Sequence, residues 1–386
     1  MNNIINNTLV FLWEPAGSGI RLLRCFGNSP VLTVPDQLNG KKITEIGAYC
    51  FSRSRPKFSE KIYKSIFIDI RNVTTTQENG LSFNNSSFDF SLFGTELDGT
   101  FLEEVTLPEE ITTLHNAAFY NCRKLKKLSV GTRISGIGSD EFMNDTHLEH
   151  LIIRGKDTEP SGLSLILERI AENITVSFCP NDSSTPESIL FFPEYYEWLD
   201  EISPAHIFSR SIHGEGFRMR KSFENGILNY RKYDSCFDNA LTVESPESLC
   251  KIALNRLRWP SRLENVFKEK YETAIETHLN TAFSLTIKSK DFSLLQFICE
   301  HFSPDMTVLS EAMEHCIETD WSEGNAFLME QKHNTFSEKT FELRPSYKQG
   351  VTRNGTPYYP CRYELLSMHP LKCSGTRNCV TNPLQF

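Results

Sequence analysis

Apolar residues recur at a constant interval in the first half of the chain. Between residues 102 and 153 the same types return every 23 positions. The repeating sets are Leu102, Leu125 and Leu148; Val105, Leu128 and Leu151; Ile111 and Ile134; and Phe119 and Phe142. One such unit cannot bury these side chains alone, whereas stacked units share an apolar interior and pair their strands in parallel. The pattern therefore predicts a parallel β solenoid over this segment.

An upstream copy extends the predicted solenoid toward the N-terminus. Residues 34–51 keep the internal spacing of the apolar positions in 107–119, with a short expansion around the turn signal Asn39-Gly40. The stretch 55–99 is irregular, although Ile66 and its neighbours alternate as in a strand. We interpret 55–99 as one degenerate repeat enlarged by a surface insertion.

Both ends of the predicted solenoid need caps, because an exposed terminal layer would aggregate. The apolar runs 8–13 and 20–25 flank a turn-rich Pro-Ala-Gly-Ser-Gly segment and predict a capping hairpin. At the other end, the pattern predicts a helix over 164–170 and a strand over 174–178.

Beyond about residue 186 the apolar period changes to about 3.6, which is typical of helices. Predicted helices cover residues 195–202, 246–257, 263–279, 281–288, 293–302, 307–319 and 323–331. Residues 282–300 align weakly with 312–330, which predicts a helical repeat-like arrangement. Residues 344–386 show little periodicity and several prolines, so we expect an irregular tail there.

The repeat in the first half closely resembles the BspA-type leucine-rich repeat. The family unit has the form L-x-x-V-x-L-P, then I-x-x-I-G, then A-F-x-x-C. In this chain it corresponds to Leu102–Pro108, to Ile111 with Leu114, and to Ala118–Cys122. The resemblance covers roughly residues 20–155. It implies a leucine-rich-repeat parallel solenoid and recognition of proteins or glycans, and many members of the family are surface proteins.

These patterns together predict an α+β protein in which an N-terminal leucine-rich-repeat parallel β solenoid is followed by an α-helical domain. The expected domains are a solenoid with its hairpin cap (1–182), a helical repeat-like domain (183–340) and an irregular tail (341–386).

Composition narrows the function classes. A formal net charge of −9 argues against duplex nucleic acid and against an anionic membrane surface as partners. No apolar run approaches the roughly 18 residues of a membrane span, and the first residues lack a signal-peptide core. The 11 cysteines are scattered without a CxxC pair, which is typical of reduced thiols. These features predict a cytoplasmic protein.

The strongest candidate for chemistry lies between residues 213 and 232. His213 and Glu215 could form an acid/base pair, and the cations nearby could hold a phosphate or carboxylate. The candidate anion site consists of His213, Arg218, Arg220, Lys221, Arg231 and Lys232. The alternative interpretation is a solvated basic loop with aromatic residues anchored in the core. The chain has no hydrolase, metalloprotease, Walker or dinucleotide fingerprint, so no catalytic residue, metal site or cofactor is predicted.

The expected function is that of a non-enzymatic scaffold that binds a protein partner through the solenoid face. The candidate binding residues are Glu103, Glu104, Thr106, Lys126, Lys127, Ser129, Glu149, His150 and Arg154. Two alternatives stay open, namely an enzyme or nucleotide/nucleic-acid effector centred on 213–232, and a surface adhesin. A pocket that joins His213, Glu215 and Arg218 would favour the effector, whereas side chains splayed into solvent would favour the scaffold.

Overall fold

The computed structural model describes residues 8–55, 61–68, 74–75, 80–82, 93–180, 185–202, 206–342, 350–351 and 357–358. The chain divides into two compact units, Met1–Pro304 and Asp305–Phe386. The first unit contains a parallel β solenoid of about five turns and most of the helical region, which confirms the predicted fold class. The predicted domain boundaries stay a prediction.

The solenoid and its caps are built from fifteen described strands and one short helix. In chain order they are β1 (Thr8–Ala16), β2 (Gly19–Phe26), β3 (Val31–Thr33), β4 (Gln37–Leu38), β5 (Lys41–Ile46), β6 (Lys61–Ile68), β7 (Thr74–Thr75), β8 (Gly80–Ser82), β9 (Glu104–Thr106), β10 (Thr113–Leu114), β11 (Lys127–Gly131), β12 (Gly136–Ile137), β13 (His150–Arg154), α1 (Leu163–Leu167), β14 (Ile174–Phe178) and β15 (Ser188–Phe192).

The strands stack as the 23-residue interval predicts. In the main sheet, β3, β9, β11, β13 and β14 pair in parallel and β15 closes the edge antiparallel. Val105 lies opposite Leu128 and Leu128 opposite Leu151, all of them at most 1% exposed. On the other side of the stack, β5, β10 and β12 also pair in parallel. The predicted interior column is therefore confirmed.

A ladder of stacked phenylalanine rings fills one part of this interior. Phe119 is fully buried and its ring lies 4.9 Å from that of Phe51 and 5.4 Å from that of Phe142. Large rings at one position of each unit bury much apolar area and stack favourably on their neighbours. Each turn of the solenoid is thus stabilised by the turns on either side.

The N-terminal cap is the predicted hairpin, since β1 and β2 pair antiparallel around Gly17. The interpretation of 55–99 as a degenerate repeat is wrong. β3 pairs directly with β9, so no strand of 55–99 enters the main sheet between them. β6 instead pairs antiparallel with β1 and covers the outer edge of the cap. Ile62 of β6 packs in one buried apolar cluster with residues of the hairpin. This packing holds β6 along the hairpin, so the open edge of the hairpin is covered.

The helical region of the first unit follows a second hairpin. Its elements are β16 (Tyr196–Ile202), β17 (Ile207–His213), α2 (Gly216–Met219), β18 (Phe223–Glu224), β19 (Ile227–Leu228), α3 (Tyr230–Ser235), α4 (Phe237–Val243), α5 (Pro246–Arg258), α6 (Asn265–Thr277), α7 (Leu279–Ser289) and α8 (Phe292–Phe302). Local sequence sets the helix starts: the Ser245 hydroxyl caps α5 with Pro246 in the first turn, and the Asp291 carboxylate caps α8.

The predicted helix over 195–202 is wrong. This segment forms β16, which pairs antiparallel with β17 along its whole length, from Tyr196 opposite His213 to Ile202 opposite Ile207. The segment is so short that its apolar spacing does not distinguish a helix from a strand. Aromatic and β-branched residues favour strands, and pairing with β17 decides the conformation.

Buried polar contacts join the helices to the last strand of the solenoid. The Tyr233 hydroxyl donates to the Phe191 carbonyl at 2.5 Å. Behind it, the Arg256 guanidinium and the Asp234 carboxylate form a bidentate ion pair at 2.7 and 2.9 Å, and both side chains are at most 1% exposed. The Tyr271 hydroxyl donates to the same carboxylate at 2.8 Å. The helices thereby cap the second end of the solenoid.

The second unit contains α9 (Met306–Glu318), α10 (Ser322–Glu342), and the short antiparallel strands β20 (Gly350–Val351) and β21 (Pro357–Tyr358). Most of the predicted tail, 341–386, lies outside the described residues.

Candidate functional site

The outward face of the main sheet carries two rows of side chains on neighbouring strands. One row contains Val31, Glu104, Lys127, His150 and Thr175, and the other contains Thr33, Thr106, Ser129, Ile152 and Ser177. Alternate residues of a strand point to opposite faces, so the buried leucines and valines between these residues point inward. The repeat thus converts sequence spacing into a regular surface on which most side chains are polar.

Charges of opposite sign alternate along the edge of this face. The Lys126 ammonium lies 2.9 Å from the Glu103 carboxylate, and the Lys127 ammonium lies 3.3 Å from the Glu104 carboxylate. Glu149 continues the first series, since its backbone N–H donates to the Lys126 carbonyl on the strand beside it. Exposed ion pairs of this kind contribute little stability, because water and salt screen the charges. Their regular arrangement is therefore a feature that a partner could recognise.

Two of the candidate binding residues are occupied in the structure itself. The Arg154 guanidinium donates to the Glu109 carboxylate at 2.5 Å, to the Ser129 hydroxyl at 2.9 Å and to the Leu107 carbonyl at 2.5 Å. Its side chain is 11% exposed and covers Ser129. Arg154 therefore ties three turns of the solenoid together. The face that is open to a partner centres on the residues around Glu104, Lys127 and His150.

A cleft of about 700 Å³ adjoins the last strands of this face. Its lining residues come from the segment before β14, the β15–β16 connection, the start of β16, the end of β17, the loop before α2, α2 itself and the α4–α5 segment: Asn173, Glu194, Tyr196, Ile212, His213, Gly214, Glu215, Phe217, Arg218, Asn239, Val243, Glu244, Ser245, Glu247, Ser248 and Lys251. The Lys251 ammonium lies 5.1 Å from the centre of the Phe191 ring. Since Phe191 pairs with Thr175 of the outward row, the cleft and the sheet face adjoin each other.

Glycines shape the loop that carries the central acid of the cleft. Gly214 has a φ of +90°, which side-chain-bearing residues rarely adopt. A Cβ on Gly216 would lie 1.9 Å from the Pro193 carbonyl oxygen. This close approach lets the chain turn from β17 into α2 and leaves Glu215 buried, at 1% exposure.

The Glu215 carboxylate has few neutralising partners. Its Oε2 accepts a hydrogen bond from the Asn239 amide, and its Oε1 lies 3.4 Å from Arg218 Nη1 without accepting any hydrogen bond. The Glu215 backbone N–H donates to the Glu244 carboxylate at 2.6 Å. Burial, together with the charges of Glu215 and Glu194, raises the pKa of Glu244 above its ordinary value.

The candidate anion-binding residues are not brought together. His213 and Arg218 line the cleft, whereas Arg231 and Lys232 line other pockets and pair with glutamates. Arg220 is buried, and its guanidinium donates to the carbonyls of Ile170, Pro193, Gly216 and Glu172. Lys221 pairs with Glu168 at 3.1 Å. The assignment of an anion site to these six residues stays a prediction.

The sequence reasoning missed the acids and the hairpin around the cleft. The cleft acids Glu194, Glu244 and Glu247 lie far from His213 in the sequence and belong to other elements. No sequence motif therefore links these acids to His213. The hairpin β16–β17 presents large exposed apolar side chains: Tyr196, Trp198, Leu199, Phe208 and Ile212. Because this segment was predicted to be a helix, the exposed apolar surface of the hairpin was not predicted. The aromatic residues of 196–202 do favour a strand.

Within the described residues, no group of three or more histidine, cysteine or acidic side chains is arranged to hold a metal ion. The helices in the described part of the chain are all too short or too polar to cross a membrane.

Comparison with known proteins identifies the repeat segment. No curated protein and no solved structure matches the chain. Residues 97–162 match the family described as BspA type leucine rich repeat region (6 copies). Repeats of this type suggest a protein-interaction or adhesion role. Residues 97–162 are accordingly a BspA-type leucine-rich-repeat region, and this assignment covers the segment that builds the central turns of the solenoid.

Proposed function

We propose that this protein is a non-enzymatic scaffold that binds a protein partner through the outward face of its solenoid, in the cytoplasm. The observation that carries the proposal is the regular row formed by Glu104, Lys127 and His150 on adjacent parallel strands. A rigid sheet holds the backbone of these residues in fixed positions, so only side chains of the scaffold are ordered when a partner binds. The eight cysteines in the described part are free thiols, which supports the proposed location.

The charge pattern of the row favours specific contacts with polar groups of a partner over nonspecific attraction to any charged surface. The carboxylate and ammonium groups alternate, so their fields largely cancel at a distance and act at contact range. Partial desolvation and the charges of Lys127 and Lys251 lower the pKa of His150, which is then neutral at pH 7 and can both donate and accept a hydrogen bond.

A charge reversal on this face tests the proposal. The intact chain would be used as bait in the lysate of its source cells, and bound proteins would be cross-linked and identified. Lys127→Glu reverses a charge in the row, and Lys124→Glu makes the same change on an exposed turn outside it. We expect the partner to be retained by wild type and by Lys124→Glu and lost from Lys127→Glu. Equal retention by the two variants would remove the sheet face as the binding surface.

One observation favours the second candidate function, an enzyme or nucleotide/nucleic-acid effector. His213, Glu215 and Arg218 do line a single cleft. An effector of this kind should bind a phosphate-bearing ligand, and Arg218→Gln should abolish that binding. Titration of the intact protein with inorganic phosphate and with ATP decides between the two candidates.

A further inference from the structure

The charge balance of the cleft is opposite to that of an anion site. Four carboxylates line it, those of Glu194, Glu215, Glu244 and Glu247, against the two cations Arg218 and Lys251. Lys251 is further engaged with the Phe191 ring. A phosphate in this cleft would meet more negative than positive charge, whereas a cation would be attracted.

The buried Glu215 carboxylate supplies an acceptor for such a cation. Glu215 lines the cleft, and its Oε1 is buried, accepts no hydrogen bond and has only the longer ion pair to Arg218, which is itself 61% exposed. A buried carboxylate oxygen without a hydrogen bond is costly, and a ligand N–H would satisfy it. Burial and, after it, the negative charges of Glu215 and Glu194 raise the pKa of Glu244, and a bound cation would offset the unfavourable interaction between these carboxylates.

The wall of the cleft fits a planar cation. Tyr196 and His213 both line the cleft, and their rings stack at 4.9 Å with 14° between their planes, which leaves the outer face of each ring uncovered by the other. A guanidinium group combines donors in a plane, which match carboxylates, with a face that stacks on aromatic rings. A compact ammonium group can also lie over a ring, but it lacks the planar, two-pronged donor pattern that matches a carboxylate while the group stacks on a ring.

We propose that this cleft binds an arginine side chain of the protein partner, an inference that rests on the proposed scaffold function. The hairpin beside the cleft supports a peptide chain over a free small molecule. On the two-stranded ribbon, Leu199 and Phe208 are 66% and 67% exposed on the face that also carries Glu197 and Glu201, and Trp198 is 55% exposed on the other face beside Asp200. Apolar residues next to an arginine in a basic partner would cover this ribbon.

The test measures peptide binding to the intact protein by calorimetry and ligand-observed NMR. The probe is an acetylated, amidated pentapeptide with a central arginine between valines. Matched peptides carry citrulline, which has the same shape without the charge, or glutamate. We expect millimolar binding of the arginine peptide, roughly tenfold weaker binding of the citrulline peptide, because charge-assisted hydrogen bonds are lost, and no binding of the glutamate peptide.

Two variants locate the binding. Glu244→Gln keeps an acceptor for the Glu215 N–H but removes the charge, and should weaken arginine-peptide binding about tenfold. Glu159→Gln removes the charge of an exposed acid outside both the cleft lining and the hairpin, and should leave binding within about twofold. Equal loss in both variants, equal binding of citrulline and arginine peptides, or phosphate binding that Arg218→Gln abolishes would each overturn the assignment.

The outcome is separable from the test of the scaffold function. If the partner depends on Lys127 while the arginine peptide does not bind, the cleft assignment alone fails. If the arginine peptide binds and requires Glu244 while Lys127→Glu retains every partner, the cleft assignment stands and the sheet face is not the binding surface.

Discussion

Replacement of one buried acid should change how the stability of the solenoid depends on pH. Glu141 occupies the position that Ala118 occupies one turn earlier, and both residues are fully buried. Neither Glu141 carboxylate oxygen accepts a hydrogen bond. Burial raises the pKa of this carboxyl to about 8, the charge of Asp145 adds to the effect, and the nearby Ala118 N–H and Arg169 oppose it.

The direction and size of the effect follow from proton linkage. In the unfolded chain Glu141 loses its proton near its ordinary pKa of 4.5, whereas in the folded protein it keeps the proton up to about pH 8. Between these values the folded state binds one more proton, so this group makes the free energy of unfolding fall as pH rises. The slope for one group is about 1.4 kcal/mol per pH unit, which gives on the order of 4 kcal/mol between pH 5 and pH 8.

Glu141→Gln removes this contribution while it keeps the size of the side chain. The measurement is urea-induced unfolding of the intact chain at pH 5, 6.5 and 8, followed by circular dichroism. We expect the variant to resemble wild type at pH 5 and to exceed its unfolding midpoint increasingly toward pH 8. Glu159→Gln, a change of an exposed acid, is the matched control and should follow wild type at each pH. A Glu141→Gln profile parallel to that of wild type would refute the reasoning.

Two further substitutions test packing inside the first unit. Phe119→Ala removes the central ring of the phenylalanine ladder, which stacks at 4.9 and 5.4 Å on its neighbours. This change should lower the free energy of unfolding by about 3–5 kcal/mol. The control Met143→Ala, on the exposed surface, should change the free energy of unfolding by less than about 0.5 kcal/mol. Asp234→Ala leaves the buried Arg256 guanidinium without its carboxylate and should cost about 3–5 kcal/mol, whereas Asp238→Ala breaks only an exposed pair. Both comparisons use denaturant unfolding, and a similar loss in test and control variants would contradict the packing argument.

The register of the repeat strands was predictable because the same apolar spacing recurs along the chain. The interval of 23 fixes which residues lie opposite each other, so Val105, Leu128 and Leu151 could be stacked without coordinates. The same reasoning could not place β6, whose antiparallel pairing with β1 joins two segments that share no repeat. A unique long-range contact leaves no periodic signal, so the fold of 55–99 had to come from the structure.

The candidate site was predictable only in part, for a related reason. The outward residues follow from the strand period, and the structure places Glu104, Lys127 and His150 in one row. The cleft depends on where distant elements meet, and its acids Glu194 and Glu244 lie on either side of the basic stretch that attracted attention in the sequence. The linear run of cations therefore could not indicate that four carboxylates line the same cleft.

The dimensions of the sheet face connect the two proposed surfaces. Five parallel strands at about 4.8 Å spacing, with three to five residues each, present on the order of 300 Å² in projection. A stable protein interface covers about 800 Å² on each partner. A partner centred on Lys127 must therefore extend beyond the sheet, and on the β15 side the surface continues through Lys251 into the cleft and its apolar hairpin. An anchoring arginine there, held by acids in a partly enclosed site, would contribute specificity that the self-compensated charges of the sheet do not supply.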